Sequence, residues 1–191
     1  HRWWVLILSI LCTGLVAHNA RLLDFATDYR VFFSGETPDL IAFEDFQKIY
    51  TKSDNLMIVV QAKDQRVLDA EMVHVVEMIT REAWQIPFST RVDSITNYQH
   101  THADADDLIV ADLIQDGAQL SSEALKEKLA IALNEPLLHN FLISPDTKTT
   151  AVNVILQYPG KDLSETPVSV NHARAMVASI QQDHPDITTV I

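Results

Sequence analysis

The chain carries one cysteine, Cys12, and only four glycines in 191 residues. A single cysteine, set in an apolar run, leaves no disulfide and no cysteine-based zinc site. With so few glycines and no G-x-S-x-G, neither a nucleophile elbow nor a phosphate-cradling loop can be placed. Positive charge is scarce as well: 14 lysines and arginines against 26 aspartates and glutamates give a formal net charge of -12. The basic residues are scattered, which argues against nucleic acid as a partner, because phosphate neutralisation needs a basic patch.

What is present begins with Trp3 to Ala17, WWVLILSILCTGLVA, an uncharged run with Arg2 upstream that continues past His18 and Asn19 to Arg21, Leu22 and Leu23. A helix of about 20 mostly apolar residues covers roughly 30 Å of hydrocarbon. Trp3 to Leu23 meets that length if His18, Asn19 and Arg21 lie among the headgroups. Residues 1–24 are therefore expected to form one transmembrane helix with a cytoplasmic start and Trp3 and Trp4 in the interfacial belt. Residues 25–191 are then extracytoplasmic, and are enough for one domain. Two other readings compete. A buried core helix would carry a polar face, and this run has only Ser9 and Thr13. A cleaved signal peptide would end on a small-x-small site, which Ala17-His18-Asn19-Ala20 fits poorly. Because the chain starts on His and ends on a strand-like Ile187 to Ile191, it reads as a piece of a longer protein.

Further along, Asp24 to Phe33 alternates charges with aromatics, and Ser34 to Pro38 reads as a turn. Asp39 is expected to cap a helix to about Tyr50, with Ile41, Phe43, Phe46 and Ile49 at helical spacing. Asn55 to Ala62, NLMIVVQA, reads as a central strand buried on both faces. The spacing of Leu68, Met72, Val75, Val76, Ile79 and Ala83 predicts a helix over about Arg66 to Trp84, stopped by Pro87. Phe88 to Thr96 alternates as a second strand, and Asn97 to Gln115 is the least regular stretch. Ser121 or Ser122 caps a helix to Leu133 with Leu125, Leu129 and Ala132 on one stripe. Phe141 to Ile143 and Thr149 to Tyr158 flank the turn Pro145-Asp146-Thr147-Lys148 and read as a hairpin. Thr166 as cap and Pro167 at the first position open a helix bearing Val170, Ala173, Val177 and Ile180, which ends before Pro185.

Apart from the early helix and an insertion between about Asn97 and Ser144, the order is strand, helix, strand, strand, helix, strand. Two right-handed crossovers then place both helices on one face of a four-stranded antiparallel sheet. The expected fold is α+β: a ferredoxin-like split βαβ domain of extracytoplasmic, porter type, with an inserted helix-hairpin segment, preceded by one transmembrane helix.

Chemistry is harder to place. His100, His102, Asp104 and Asp106 alternate so that an extended backbone would bring them to one face, with Asp107 next to them in the chain, and His-x-His-x-Asp resembles the core of the metallo-β-lactamase-type hydrolases. That family's pattern continues with a histidine directly after the aspartate, where this chain has Ala105. The expectation is a polar loop with no metal, the alternative a secreted metal hydrolase using His100, His102 and Asp104. His74 and the glutamates Glu71, Glu77, Glu82 and Glu123 lie on predicted helices, where a solvated face explains them. No residue set builds an active site, so the protein is expected to be neither an enzyme nor a holder of a cofactor.

Four motifs stand in order: Asp28-Tyr29-Arg30-Val31-Phe32-Phe33, Asp54-Asn55-Leu56-Met57-Ile58-Val59-Val60, Arg91-Val92-Asp93-Ser94-Ile95-Thr96-Asn97 and Asp106-Asp107-Leu108-Ile109-Val110-Ala111-Asp112-Leu113. In order and spacing, over most of the chain, they resemble the start of exporters of the resistance-nodulation-division superfamily, in the branch of the mycobacterial-membrane-large and patched-like proteins. The resemblance implies the first transmembrane helix and first extracytoplasmic loop of a proton-driven exporter of about twelve helices in a bacterial inner membrane. It also implies partners: the lipid bilayer, a hydrophobic or lipid-like substrate and the remaining repeats of the transporter, with a homo-oligomer left open. The proton-relaying carboxylates would lie in later helices. Asp93, Ser94, Thr96 and Asn97 are the positions expected to shape the link between porter unit and membrane, whereas His100 and His102 depart from the family pattern. The alternative is a single-pass, membrane-anchored extracytoplasmic sensor or binding domain.

Overall fold

The structure, a computed structural model, describes residues 2–19, 37–50, 54–104, 107–159 and 164–191. It divides into two compact units, His1–Thr51 and Lys52–Ile191. Asp24 to Phe33, with its Asp-Tyr-Arg-x-Phe-Phe motif, lies outside the described residues, as do residues 20–23 at the end of the apolar run.

In the first unit, α1 spans Arg2–Asn19 and α2 spans Pro38–Ile49. At about 1.5 Å per residue, the 18 residues of α1 run to roughly 27 Å. Its large apolar side chains, from Trp3 to Leu15, are all more than half exposed. Among the described residues no helix is long and apolar enough to cross a membrane. Helix α2 starts one residue before the expected cap: Thr37 holds the N-cap position and Pro38 fills the first turn, where its missing N–H costs nothing. Asp39 sits inside that turn instead, beside the positive end of the helix dipole. The apolar stripe is not buried, for Ile41, Phe43 and Phe46 are about half exposed, and Phe46 stacks on Tyr50 at 4.5 Å.

The second unit is α+β and is built on a four-stranded antiparallel sheet. Its strands are β1 (Asp54–Ala62), β2 (Ser89–Asp93), β5 (Thr149–Leu156) and β6 (Ile187–Val190), in the order β2-β5-β1-β6. A separate hairpin supplies β3 (Gln99–Asp104) and β4 (Asp107–Asp112). Helix α3 (Ala70–Ala83) connects β1 to β2, α4 (Ser122–Asn134) lies in the insertion, and α5 (Glu165–Asp183) connects β5 to β6. Because β5 is antiparallel to both β1 and β2, the strands joined by α3 are parallel with β5 between them. Likewise β5 and β6 are parallel with β1 between them. The expected order of elements and the antiparallel sheet are thus observed.

Helices α3 and α5 touch each other and the sheet. The predicted stripe is the buried one: Met72, Val75, Val76, Ile79 and Ala83 on α3, joined by Val73, and Leu68 just before the helix. On α5, Ala173 and Val177 are buried and Val170 and Ile180 pack against the core. Strand β1 corrects an expectation. It buries Leu56, Ile58, Val60 and Ala62 on one side only, while Met57, Val59 and Gln61 on the other are half-buried. An antiparallel sheet covered by helices on one face needs no second apolar layer, and the apolar run Leu56 to Val60 hides that alternation. β5 is the strand buried over almost its full length, with Thr150 to Val154 all inside.

Several boundaries also shift. Asp69 caps α3, its Oδ1 accepting from the Met72 N–H at 2.9 Å, so Arg66 to Leu68 precede the helix. β2 stops at Asp93 because the next residues turn. Asn97 to Gln115, expected to be irregular, forms the β3–β4 hairpin in register from Gln99↔Asp112 to Asp104↔Asp107. The expected hairpin of Phe141 to Ile143 with Thr149 to Tyr158 reduces to one bridge, Ile143↔Thr150, around the predicted turn, since β5 is taken up by β1 and β2. Helix α5 begins at Glu165 with Ser164 at the N-cap position, so Thr166 is not the cap and Pro167 lies within the first turn.

Candidate functional site

The residues singled out after β2 form a compact polar turn. The Ser94 N–H and Oγ–H both donate to Asn97 Oδ1, at 2.8 and 3.1 Å, and Asn97 Nδ2 donates back to the Val92 carbonyl at 2.7 Å. Ser94 Oγ in turn accepts from the Thr96 and Asn97 N–H groups at 3.2 and 3.3 Å, with the Thr96 hydroxyl 2.7 Å away. Ser94 and Thr96 are buried, Asn97 half-buried. On the far side, Thr80 of α3 donates to the Val76 carbonyl at 2.6 Å and lies 3.4 Å from the Thr96 hydroxyl. Ser, Thr and Asn serve here because their short side chains reach the local backbone. Asp93 stands apart, paired at the surface with Arg91 Nε at 2.7 Å. The structure thus joins Ser94, Thr96 and Asn97 in one network and leaves Asp93 outside it.

A shallow cleft of about 300 Å³ opens beside this turn, lined by Thr80, Trp84, Thr96, Asn97, Asp112 and Ile114 among others. Glu77, also in the lining, is held by the close approach of the chain at Gly117, a buried glycine whose N–H donates to Glu77 Oε2 at 2.9 Å. A Cβ on Gly117 would lie 2.7 Å from Val73 Cγ1, so the glycine is what lets a 3-10 turn, Gly117–Gln119, rest on α3.

The hairpin carries the histidines. His100 and His102 share one face of β3, their rings stacked at 5.7 Å, opposite Ala111 and Ile109. His102 is exposed and His100 half-buried. Among the described residues no group of three or more His, Cys, Asp or Glu side chains is placed to hold a metal ion. Residues 105 and 106 lie outside the described residues, so Asp106 is not placed. The other pair of histidines, His74 on α3 and His184 at the end of α5, meets edge to face at 6.4 Å, with Glu71 Oε1 3.5 Å from His184 Nδ1.

An apolar groove of about 440 Å³ lies between the start of α3 and α4. Leu125, Leu129 and Leu133 recur at every fourth position along α4 and face Val67, Leu68 and Leu120. Its polar margin is Asp69, Ser122, Lys126 and Thr147. Thr147, in the left-handed region at φ 54°, closes the end of the groove by accepting the Leu68 N–H at 2.7 Å. Helix periodicity marks Leu125 and Leu129 as a core stripe. It does not show that Val67 and Leu133 continue that stripe into a trough, because the standoff of α4 from α3 is a tertiary feature. Lys126 carries no signal in the sequence at all.

No protein-family model matches the chain, and no curated protein matches it.

Proposed function

We propose that this chain is the first transmembrane helix and first extracytoplasmic loop of a proton-driven exporter of the resistance-nodulation-division type. In this reading residues 25–191 are a ferredoxin-like, porter-type domain that handles hydrophobic or lipid-like molecules outside a bacterial inner membrane. The observation that carries it is the interleaved sheet of β2-β5-β1-β6, in which each helix crossover straddles a strand of the other half, following in the chain an apolar helix that is uncharged after Arg2. Support also comes from the order of the four motifs, three of which fall on β1, on the β2 turn and on β4. Such a unit works by rocking as a rigid body against a partner repeat rather than by bond chemistry. The turn at Ser94 to Asn97 suits that role, since it rigidifies the exit of β2 instead of presenting free polar groups.

Cysteine labelling makes a direct test. In membranes of cells expressing the intact protein with Cys12 as its one remaining cysteine, that residue is expected to resist a membrane-impermeant maleimide until detergent is added. With Cys12 and every other cysteine of the intact protein replaced by alanine, Glu127→Cys on the exposed side of α4 is expected to react from outside the inner membrane. Labelling of Cys12 in sealed membranes, or of Glu127→Cys only after lysis, sinks the topology. A downstream coding sequence with eleven further apolar spans supports the exporter, whereas a stop codon after this domain replaces it with a single-pass binding domain.

A further inference from the structure

We propose that the groove between α3 and α4 binds a free single-chain amphiphile with a carboxylate head, its head at Lys126 and its chain along Leu125, Leu129 and Leu133. This goes beyond the exporter reading and holds equally for a single-pass binding protein.

Size limits the occupant first. A volume of about 440 Å³ falls in the range of small-molecule sites, about 300 to 1,000 Å³. With a methylene taking about the same 30 Å³ as a water molecule in the liquid, the groove holds one chain of about ten to fifteen carbons, and not a two-chain lipid. The lining selects next. Six aliphatic side chains, Val67, Leu68, Leu120, Leu125, Leu129 and Leu133, form the trough, so a fully polar ligand would lose hydration with nothing in return.

Charge then sets the orientation. Lys126 is exposed and makes no ion pair among the described residues. The first turns of α3 and α4, at Ala70 and Ser122, open on the same groove, and the start of a helix carries a partial positive charge. The one carboxylate in the lining, Asp69, is already occupied: Arg66 Nε donates to it at 2.6 Å and the Met72 N–H at 2.9 Å. Glu123 and Glu127, also on α4, do not line the groove. An apolar trough whose lining holds one cation, paired with no acid among the described residues, favours an anionic head locally, against the weaker long-range repulsion of a chain of net charge -12. A second copy of the chain is a poorer occupant, since it would bring two acidic surfaces together and need about 800 Å² from each partner.

The test uses the full chain in phosphatidylcholine nanodiscs with a diazirine-bearing dodecanoate, the crosslinks being mapped by mass spectrometry. Labels are expected on Val67 to Ala70 and Leu120 to Leu133, displaced by dodecanoate at concentrations about tenfold below those of dodecanol. Ala130→Trp, at an exposed position in the lining, should fill the groove and cut labelling about tenfold or more. Lys126→Gln, a surface change that leaves the fold alone, should erase the preference for acid over alcohol while keeping the apolar label. The proposal is overturned if labels scatter over other apolar surfaces, if Ala130→Trp leaves them in place, or if acid and alcohol compete equally in the unmodified protein. It is overturned too if Ala130→Trp converts a dimer to a monomer, because the groove would then belong to a second copy.

Discussion

The turn Ser94 to Asn97 and the hairpin that follows it are neighbours in the chain and opposites in physics. In the turn, Ser94 and Thr96 are buried and each polar group meets another within a few residues. In the hairpin, Leu108 and Val110 are 72% and 57% exposed, and the two stacked histidines stand opposite Ala111 and Ile109 across the strand pair. Two strands without a third, or a helix against them, are marginal in water. The hairpin is held at its base instead, where the Leu113 N–H donates to the Tyr98 carbonyl at 2.7 Å and the Ile114 N–H to Thr96 at 3.2 Å. The comparison teaches that polar composition alone does not mark a functional residue: the same kinds of side chain serve as internal scaffold in one stretch and as loosely held surface in the next.

The sharpest way to break this contrast is Asn97→Ala. The substitution removes the acceptor for two Ser94 donors and the donor to Val92, leaving groups in a mostly buried turn without partners. Unfolding free energy should fall by about 2 to 4 kcal/mol, measured by urea denaturation, with the m-value unchanged. A loss below about 0.5 kcal/mol would mean that the turn is no more structural than the hairpin.

A second, smaller effect tests where the insertion rejoins the core. Gly117→Ala drives a Cβ to within 2.7 Å of Val73 Cγ1 and strains the contact that places the Glu77 carboxylate on the Gly117 N–H. Overpacking of this kind costs about 1 to 3 kcal/mol. Hydrogen exchange should show the loss at α3 and residues 113–120, with the β3–β4 amides no more labile than before. If the hairpin amides open as well, hairpin and core are one cooperative unit and the contrast fails.

The same contrast explains which parts of the fold are legible in the sequence. Helix α3 reads out residue by residue because Met72, Val75, Val76, Ile79 and Ala83 obey one period and all face one layer. The order of the sheet follows from the alternation of elements together with the right-handed crossover rule. β3 and β4 stay hidden because their apolar residues Leu108, Ile109 and Val110 form a run without alternation, on strands with no buried face to enforce any. The burial of β1 is misread for a related reason: a run of apolar residues does not say which of its two faces is covered. Ser94, Thr96 and Asn97 obey no hydrophobic period, so their mutual bonding is visible only in the structure. The groove between α3 and α4 is invisible to any local pattern, since Val67 and Leu133 meet there from distant parts of the chain.

The smallest expected effect lies with His100 and His102, and its smallness is informative. Each imidazole has a neighbour but no buried contact that depends on it, so His100→Ala and His102→Ala should each change stability by no more than about 0.5 kcal/mol. A metal would alter that result. Structural zinc is held by four ligands, and a site that binds the folded state alone raises the melting temperature with metal concentration. Directly across the ladder from His100 and His102 stand Ala111 and Ile109, which cannot ligate, and among the described residues no third ligand is placed beside the two imidazoles. Zinc added in excess should therefore move the melting temperature of the unmodified protein by less than about 1 °C, and the two alanine variants should behave the same. A rise of several degrees that disappears in His102→Ala would place a bound ion on the hairpin, and would make the more exposed of the two stretches the functional one.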